Sequence, residues 1–358
     1  MSASLPTEQA PALAAEPEAG ARRGGGSYGA YLGKRLLQFV AVVFIGINIT
    51  YAITHATPID PVEQTISAAT SFGSTSPEAI ATMREALRAL YGTGGNPVGQ
   101  YFAFWRRVAV GDFGPSLSAF PTPVSVLIGR ALPWTAGLLL VSTSLSWALG
   151  NLLGGLAGYY RRSVSLKAAG ILAMAVHPIP YYITAFVLLI LFGYVWPVLP
   201  ISDAYDPGMV PAFTPAFLLS LAQHAALPVL SLVLAGLGGW FMGMRSLVSN
   251  IVSEDYTLYA ELAGVKPRKI LWSYVMRNAV APQVTGLAMS LGAIFNGAII
   301  TEQVFGYPGV GSLLVAAVHS GDYSLVIGVT TVSIVAVSAA VLLVDVLYPL
   351  IDPRVRAG

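Results

Sequence analysis

Residues 131–160 read ALPWTAGLLLVSTSLSWALGNLLGGLAGYY, and this stretch contains no Asp, Glu, Lys or Arg. A helix crosses a bilayer core about 30 Å thick with about 20 mainly apolar residues. It also satisfies its own backbone polar groups where there is no water to do so. Five further uncharged stretches of comparable length occupy residues 36–55, 168–192, 227–244, 279–301 and 324–344. Strands of a membrane barrel would be about half as long and would alternate apolar with polar residues. The expected fold is therefore an all-α polytopic bundle of six transmembrane helices, with the second span at 131–157.

Composition supports the same conclusion. The chain of 358 residues is 55% hydrophobic and only 10% charged, whereas soluble domains are roughly a quarter charged. Its mean hydropathy is +0.69. Nineteen Lys and Arg stand against 17 Asp and Glu, and there is no cysteine. A soluble enzyme, a nucleic-acid binder and a secreted disulfide scaffold are excluded on these grounds.

Basic residues in short loops resist translocation, so they orient the spans. Arg22, Arg23, Lys34 and Arg35 precede the first span; Arg161, Arg162 and Lys167 join the second to the third. Lys266, Arg268, Lys269 and Arg277 lie between the fourth and fifth, and Arg354 and Arg356 close the chain. Residues 196–226 and 303–323 have neither Lys nor Arg. Both termini are therefore expected in the cytoplasm, in a multi-pass membrane protein. Residues 1–30 form an expected disordered cytoplasmic tail, and residues 31–358 the membrane domain.

The segment 56–130 is expected to form an external cap. Ser76 is placed to cap a helix that starts at Pro77 and Glu78 and aligns Ile80, Met83, Leu87 and Leu90. Gly92, Gly94 and Gly95 end it, and Tyr101, Phe102, Phe104 and Trp105 suggest a stretch resting at the membrane interface. Between spans four and five, residues 246–278 read as a short helix, a turn and a second helix. Tyr256, Tyr259, Ala260 and Ala263 share a face, Gly264 is the expected C-cap and Pro267 can begin the next helix. Periodicity alone favours a plain connecting helix over a helix that transmits force.

Several blocks carry a family resemblance. They are Glu254-Asp255-Tyr256 with Ala260 and Gly264, then Arg277-Asn278-Ala279 with Pro282. Others are Gly111-Asp112-Phe113-Gly114 with Ser116-Leu117, Trp196-Pro197-Val198-Leu199-Pro200, and Phe305-Gly306-Tyr307-Pro308-Gly309-Val310-Gly311. Asp345, Tyr348 and Asp352-Pro353-Arg354-Val355-Arg356 complete the set. The chain resembles the first permease subunit of the dipeptide/oligopeptide ABC importers over nearly its whole length after the tail. Departures are Glu261, where the family commonly has a basic residue, Ala263 in place of a lysine, and Pro58-Ile59-Asp60-Pro61 in place of a Pro-Gly-Asp-Pro-like element.

The resemblance implies a MetI-like type I importer fold and a heterodimer with a second permease. It also implies two cytoplasmic ABC ATPases that bind the ATP and Mg, an external substrate-binding protein, and transport by alternating access. The coupling contact with the ATPases then maps onto Tyr256, Tyr259, Ala260, Glu261, Gly264, Lys266 and Pro267. No cofactor or metal is expected in this chain. It shows no P-loop, zinc helix or nucleophile elbow, and His55, His177, His224 and His319 are scattered.

Polar groups within spans are candidates for the pathway because they are costly there. They are Asn151, Asn296 and Glu302, for all three of which the structural reading is favoured, together with His177 in the His177-Pro178-Ile179-Pro180 element that should kink span three. The function expected is inward movement of di- or oligopeptides, with nickel chelates, glutathione or oligosaccharides as alternative cargoes. A passive channel or a membrane-embedded enzyme are the rivals from other classes.

Overall fold

The computed structural model describes residues 28–56, 61–70, 76–91, 96–292 and 299–351. Helices account for nearly all of it, and an isolated bridge between Pro115 and Pro123 is the one strand-like pairing among these residues. The long helices are α1 (Tyr28–Ala56), α5 (Val124–Tyr159), α8 (Pro215–Ile251) and α14 (Tyr323–Ile351). Each is long and apolar enough to cross a membrane. The expected third span is a broken pair, α6 (Val164–Val176) and α7 (Tyr181–Leu189), bent by 106°. That is far more than the kink expected of residues 177–180. Two prolines within three residues remove helix hydrogen bonds, and Pro180 starts α7 afresh as its N-cap. A π-helical stretch, Ile190–Val195, extends α7. The expected fifth span falls on α11 (Arg277–Gly292) and α12 (Ile299–Val304), with the residues between them outside the described set. Five crossings are thus defined among the described residues.

Relative directions follow from which residues meet. Along α5, Gly150 lies against Leu237 and Trp240 of α8, and Gly158 against Arg245 and Val248, so α5 and α8 run parallel. Val124 packs with Leu325, and Leu132 shares a small cavity with Val332, so α14 runs the same way. The others run opposite. Trp147 Nε1 donates to Gln283 O at 2.9 Å while Gly155 approaches Met276. Arg35 pairs with Asp345 at 3.0 Å while Gly46 meets Ile334. Gly170 touches Phe241 while His177 touches Gly238. Such alternation is what successive crossings require. We call the end where α5, α8 and α14 begin the head, and the end where they finish the foot.

The α5–α8 seam is the centre of the bundle. Ser146, Gly150, Gly154 and Gly158 recur every fourth residue and form a ridge with almost no side chain. A Cβ at Gly154 would overlap the carbonyl oxygen of Phe241, and one at Gly158 would lie 2.9 Å from Arg245 O. In lipid the surrounding tails are as apolar as leucine, so close backbone packing is what holds helices together. Outward, α1 turns Leu37, Val40, Phe44, Ile45, Ile49 and Ile53 to the exterior. A surface so apolar belongs against lipid or another membrane helix.

The segment expected as a cap contains α2 (Pro61–Thr70), α3 (Pro77–Tyr91) and α4 (Pro97–Ala109). Val62, Ile66 and Leu87 form a small core with Ile80 and Met83, and Arg84 grips Glu63 through Nε and Nη2 at 2.6 and 3.0 Å. The four aromatics of α4 divide. Tyr101 donates to Asn48 Oδ1 at 2.8 Å, Phe104 meets Tyr51 and Trp105 stacks on Phe44, which straps α4 to α1. Phe102 stays exposed. The tail residues 1–27, the divergent element at Pro58-Ile59-Asp60 and Gly92, Gly94 and Gly95 lie outside the described residues, as does the end from Asp352 on.

Candidate functional site

The segment at the foot is built by two local devices. The first helix, α9 (Asp255–Leu262), ends in a Schellman turn. Gly264 N donates to Glu261 O and Val265 N to Ala260 O, both at 3.0 Å. Gly264 sits at φ +73°, the left-handed conformation that a side chain disfavours. The second device is Pro267 at the first position of α10 (Pro267–Lys269), where a missing N–H costs nothing. From there the chain runs on through a π-helical stretch, Ile270–Met276, into α11.

Packing decides which face of α9 is free. Thr257 and Ala260 point into the bundle, Ala260 joining a core with Met244, Val248, Ile270, Leu271 and Val275. Thr257 Oγ1 donates to Ile251 O at 3.0 Å. Opposite them Tyr259 is 69% and Leu262 77% exposed, with Tyr256 and Leu258 beside them. Hydrogen bonds hold the segment to its neighbours. Asn278 Nδ2 donates to Tyr256 OH at 3.1 Å and to Tyr274 O at 2.7 Å, while Tyr159 OH donates to Pro267 O at 3.2 Å.

The structure therefore separates the residues that the sequence grouped. Tyr256, Tyr259, Glu261, Lys266 and Pro267 are exposed, and Ala263 lies with them. Ala260 is 7% exposed and faces inward. Its small side chain lets α9 lie close on the bundle, so it is a packing residue and not a contact for an outside partner. Gly264 shapes the turn.

At the head the site residue Glu302 is fully buried, at 0% exposure. It neither lines an open path nor meets water. Thr135 Oγ1 donates to Glu302 Oε1 at 2.6 Å and itself accepts from Val310 N at 2.8 Å. Ser312 N donates to Oε2 at 3.0 Å, and Gly311 N–H also bonds the carboxylate. Glu302 thus closes the first turn of α13 (Val310–His319) against α5. The glycines of the Gly309-Val310-Gly311 block make room for it, since a Cβ at Gly309 would overlap the carboxyl carbon.

A second buried carboxylate, Asp322, is absent from the sequence-derived candidates. Its Oδ1 accepts Leu325 N at 3.0 Å, which caps α14, and its Oδ2 accepts from Ser116 Oγ and from Ser118 N and Oγ, the latter two at 3.0 Å. The loop block around Gly111–Gly114 is anchored alongside. Asp112 accepts Gly114 N at 2.9 Å and pairs with Arg107 at 3.2 Å. The Gly114 N–H, followed by the Arg107 charge, holds the Asp112 carboxyl below the ordinary aspartate range. The sequence signal for Asp322 was an acidic residue directly before an apolar run, the ordinary signature of an N-cap.

Asn151 is buried on α5, where Nδ2 donates to Trp147 O at 2.7 Å and Oδ1 has no donor among the described residues. His177 is exposed at the α6–α7 bend. Its Nδ1 lies 3.0 Å from Ala235 O, and because a carbonyl only accepts, that nitrogen carries the proton. Asn296 lies outside the described residues. No hydrogen bond joins Asn151, His177 and Glu302 to one another among the described residues. Among the described residues no three His, Cys, Asp or Glu side chains gather as a metal site. Asp345 finds its basic partner in Arg35.

A bundle of long apolar helices that turns apolar surface outward defines a class: a polytopic membrane protein. The chain belongs to the family of binding-protein-dependent transport system inner membrane components, whose model matches residues 150–357. It is a permease component of such a transport system. It is 28% identical over 333 residues to the oligopeptide transport system permease protein AppB of Bacillus subtilis, covering 91% of this chain and 99% of that protein. Similarity to the oligopeptide permease protein OppB of Haemophilus influenzae is 27% over 332 residues, with 91% and 99% covered. The dipeptide permease protein DppB of Bacillus subtilis is 24% identical over 326 residues, with 91% and 97% covered.

Proposed function

We propose that this chain is one of two permease subunits of an importer of dipeptides or oligopeptides in the cell inner membrane, with its foot and both termini in the cytoplasm. Two ATPase subunits bind and hydrolyse ATP with Mg, and an external binding protein delivers the cargo at the head. The single observation that carries the coupling step is the face of α9. Tyr256, Leu258, Tyr259 and Leu262 stand out from the foot, while Thr257 and Ala260 root the helix in the bundle. A helix so rooted transmits a push.

In this mechanism, closure of the ATPases moves α9. Displacement passes through Tyr256 to Asn278 and α11, and through Pro267 to Tyr159 and α5. The crossings then rock between two states, and transport follows from different cargo affinity in each. Peptide is the cargo because the named relatives, aligned over nearly their whole length, are dipeptide and oligopeptide permeases. No bond-breaking residue is needed. The α3 and α4 helices and the loop at Asp112 form the external cap that meets the binding protein.

The test is gentle solubilisation, capture of the chain by a tag, and identification of its companions by mass spectrometry, followed by uptake of labelled peptides into vesicles. A second permease, two ATPases and ATP-dependent peptide uptake are expected. A chain recovered alone that conducts solutes without ATP would point to a channel instead.

A further inference from the structure

At the foot of α5 the chain leaves the helix at Tyr160 and re-enters α6 at Val164. Between this loop and the end of α8 lies a cavity of about 780 Å³, lined by Tyr159, Tyr160, Arg161, Arg162, Leu166 and Ser253 among others. No residue of α9 lines it. The two arginines differ in how they are held. Arg161 is fixed, its Nε donating to Gly158 O at 3.3 Å and its Nη2 to Ser249 O at 2.7 Å. Two of its five N–H groups are thereby used, and the remainder are available to a ligand. Arg162 has neither a hydrogen bond nor an ion pair to any described residue, and Lys167 is exposed one turn further on. Ser163 caps α6 at the same rim, accepting Leu166 N. Glu261 is the acidic group whose field reaches Tyr159 in the cavity wall.

We propose that this cavity is a binding site for the phosphate of an anionic phospholipid headgroup. A planar guanidinium matches phosphate geometry, and the pre-positioned Arg161 loses little freedom on binding. Placement selects a lipid over a soluble phosphate. The loop lies where two crossing helices meet the headgroup layer, whichever way the protein is oriented. From the rim, α6 carries Val164, at 79% exposure, and Ile171 and Leu172 outward as a surface for acyl chains. Basic pockets between helices at that level are suited to anionic headgroups. The site borders the coupling turn, because Tyr159 in its wall bonds Pro267.

The test uses the intact complex carrying this chain, delipidated in detergent, with phosphatidylglycerol and phosphatidylcholine titrated separately and adducts counted by native mass spectrometry. Wild type should bind phosphatidylglycerol at least about five-fold more tightly than Arg162→Gln, and phosphatidylcholine weakly in both. Leu166→Trp, which fills the cavity without changing charge, should reduce phosphatidylglycerol binding as well, and Lys34→Gln should leave it at the wild-type level. Millimolar inorganic phosphate should not displace the lipid. Unchanged lipid binding in both Arg162→Gln and Leu166→Trp would overturn the proposal. So would an equal loss in Lys34→Gln, which would mean diffuse positive charge, or displacement by free phosphate, which would mean a soluble ligand. Binding seen only after the other subunits are stripped away would show that a protein partner occupies the cavity. None of these readouts depends on which cargo is transported.

Discussion

At the head, Glu302 and Asp322 bury their carboxylates completely and use them to collect backbone N–H groups at the starts of α13 and α14. At the foot, α9 closes with backbone bonds alone and keeps its larger side chains, Tyr259 and Leu262, on the outside. The two ends share one element of construction. Gly306, at φ +56°, ends α12 with the same pair of bonds that Gly264 makes at α9, Gly306 N to Gln303 O and Tyr307 N to Glu302 O. What differs is where the side chains go. Tyr307 after the first turn is buried against Trp134, whereas after the second only Val265 packs inward and Leu262, Ala263 and Lys266 are exposed. A buried polar lock gives an end one shape, and an exposed apolar helix on a backbone cap gives an end something to be grasped by. Variants at the head should therefore lose stability, and variants at the foot should lose coupling.

The largest effect is expected where the two ends are joined. Gly154→Leu drives a side chain into the backbone of Phe241, and overpacking of this kind should cost about 3 kcal/mol and disperse the complex in a thermal melt. Glu302→Ala comes next. It strands Thr135 and the N–H groups of Gly311 and Ser312, at about 2–3 kcal/mol in the same melt. Glu302→Gln, which retains an acceptor, should recover most of that loss.

Gly264→Val forces a branched side chain into the left-handed region, at about 1–2 kcal/mol. Its melt should shift less than that of Glu302→Ala, while uptake falls further. The smallest change in stability belongs to Tyr259→Asp, within about 0.5 kcal/mol because the residue is at the surface. Uptake should nevertheless drop more than about ten-fold, as when a central apolar contact is lost from an interface. If Tyr259→Asp destabilised the chain as much as Glu302→Ala, the contrast between the ends would disappear.

The helical architecture was legible because lipid imposes one simple rule, long uncharged stretches, and residues 131–160 obey it plainly. The turn at Gly264 and Pro267 was legible as well, since both residues act through local backbone geometry. Tertiary packing was less so. Ala260 shares a sequence face with Tyr259, and only the core at Met244 and Val248 shows that it turns inward. The bend at Pro178 and Pro180 was visible as a kink but not as an angle of 106°, because the angle is set by what α6 and α7 each pack against on α8. Glu302 was legible as a polar group in a span but not as a lock, since its partners Thr135 and Ser312 come from two other helices. The glycine ridge at Gly150, Gly154 and Gly158 was written openly at four-residue spacing, the familiar sign of close helix packing in membranes.

The most direct test of the coupling claim exploits the absence of cysteine from the chain. Single cysteines at Tyr259, at the buried Thr257, and at the exposed Val110 near the head would each be treated with a short bifunctional cross-linker in native membranes. An ATPase subunit should be captured through position 259, and through neither 257 nor 110. Capture of an ATPase through position 110, or through no position on α9, would contradict the assignment of the foot as the end that receives the ATP-driven push.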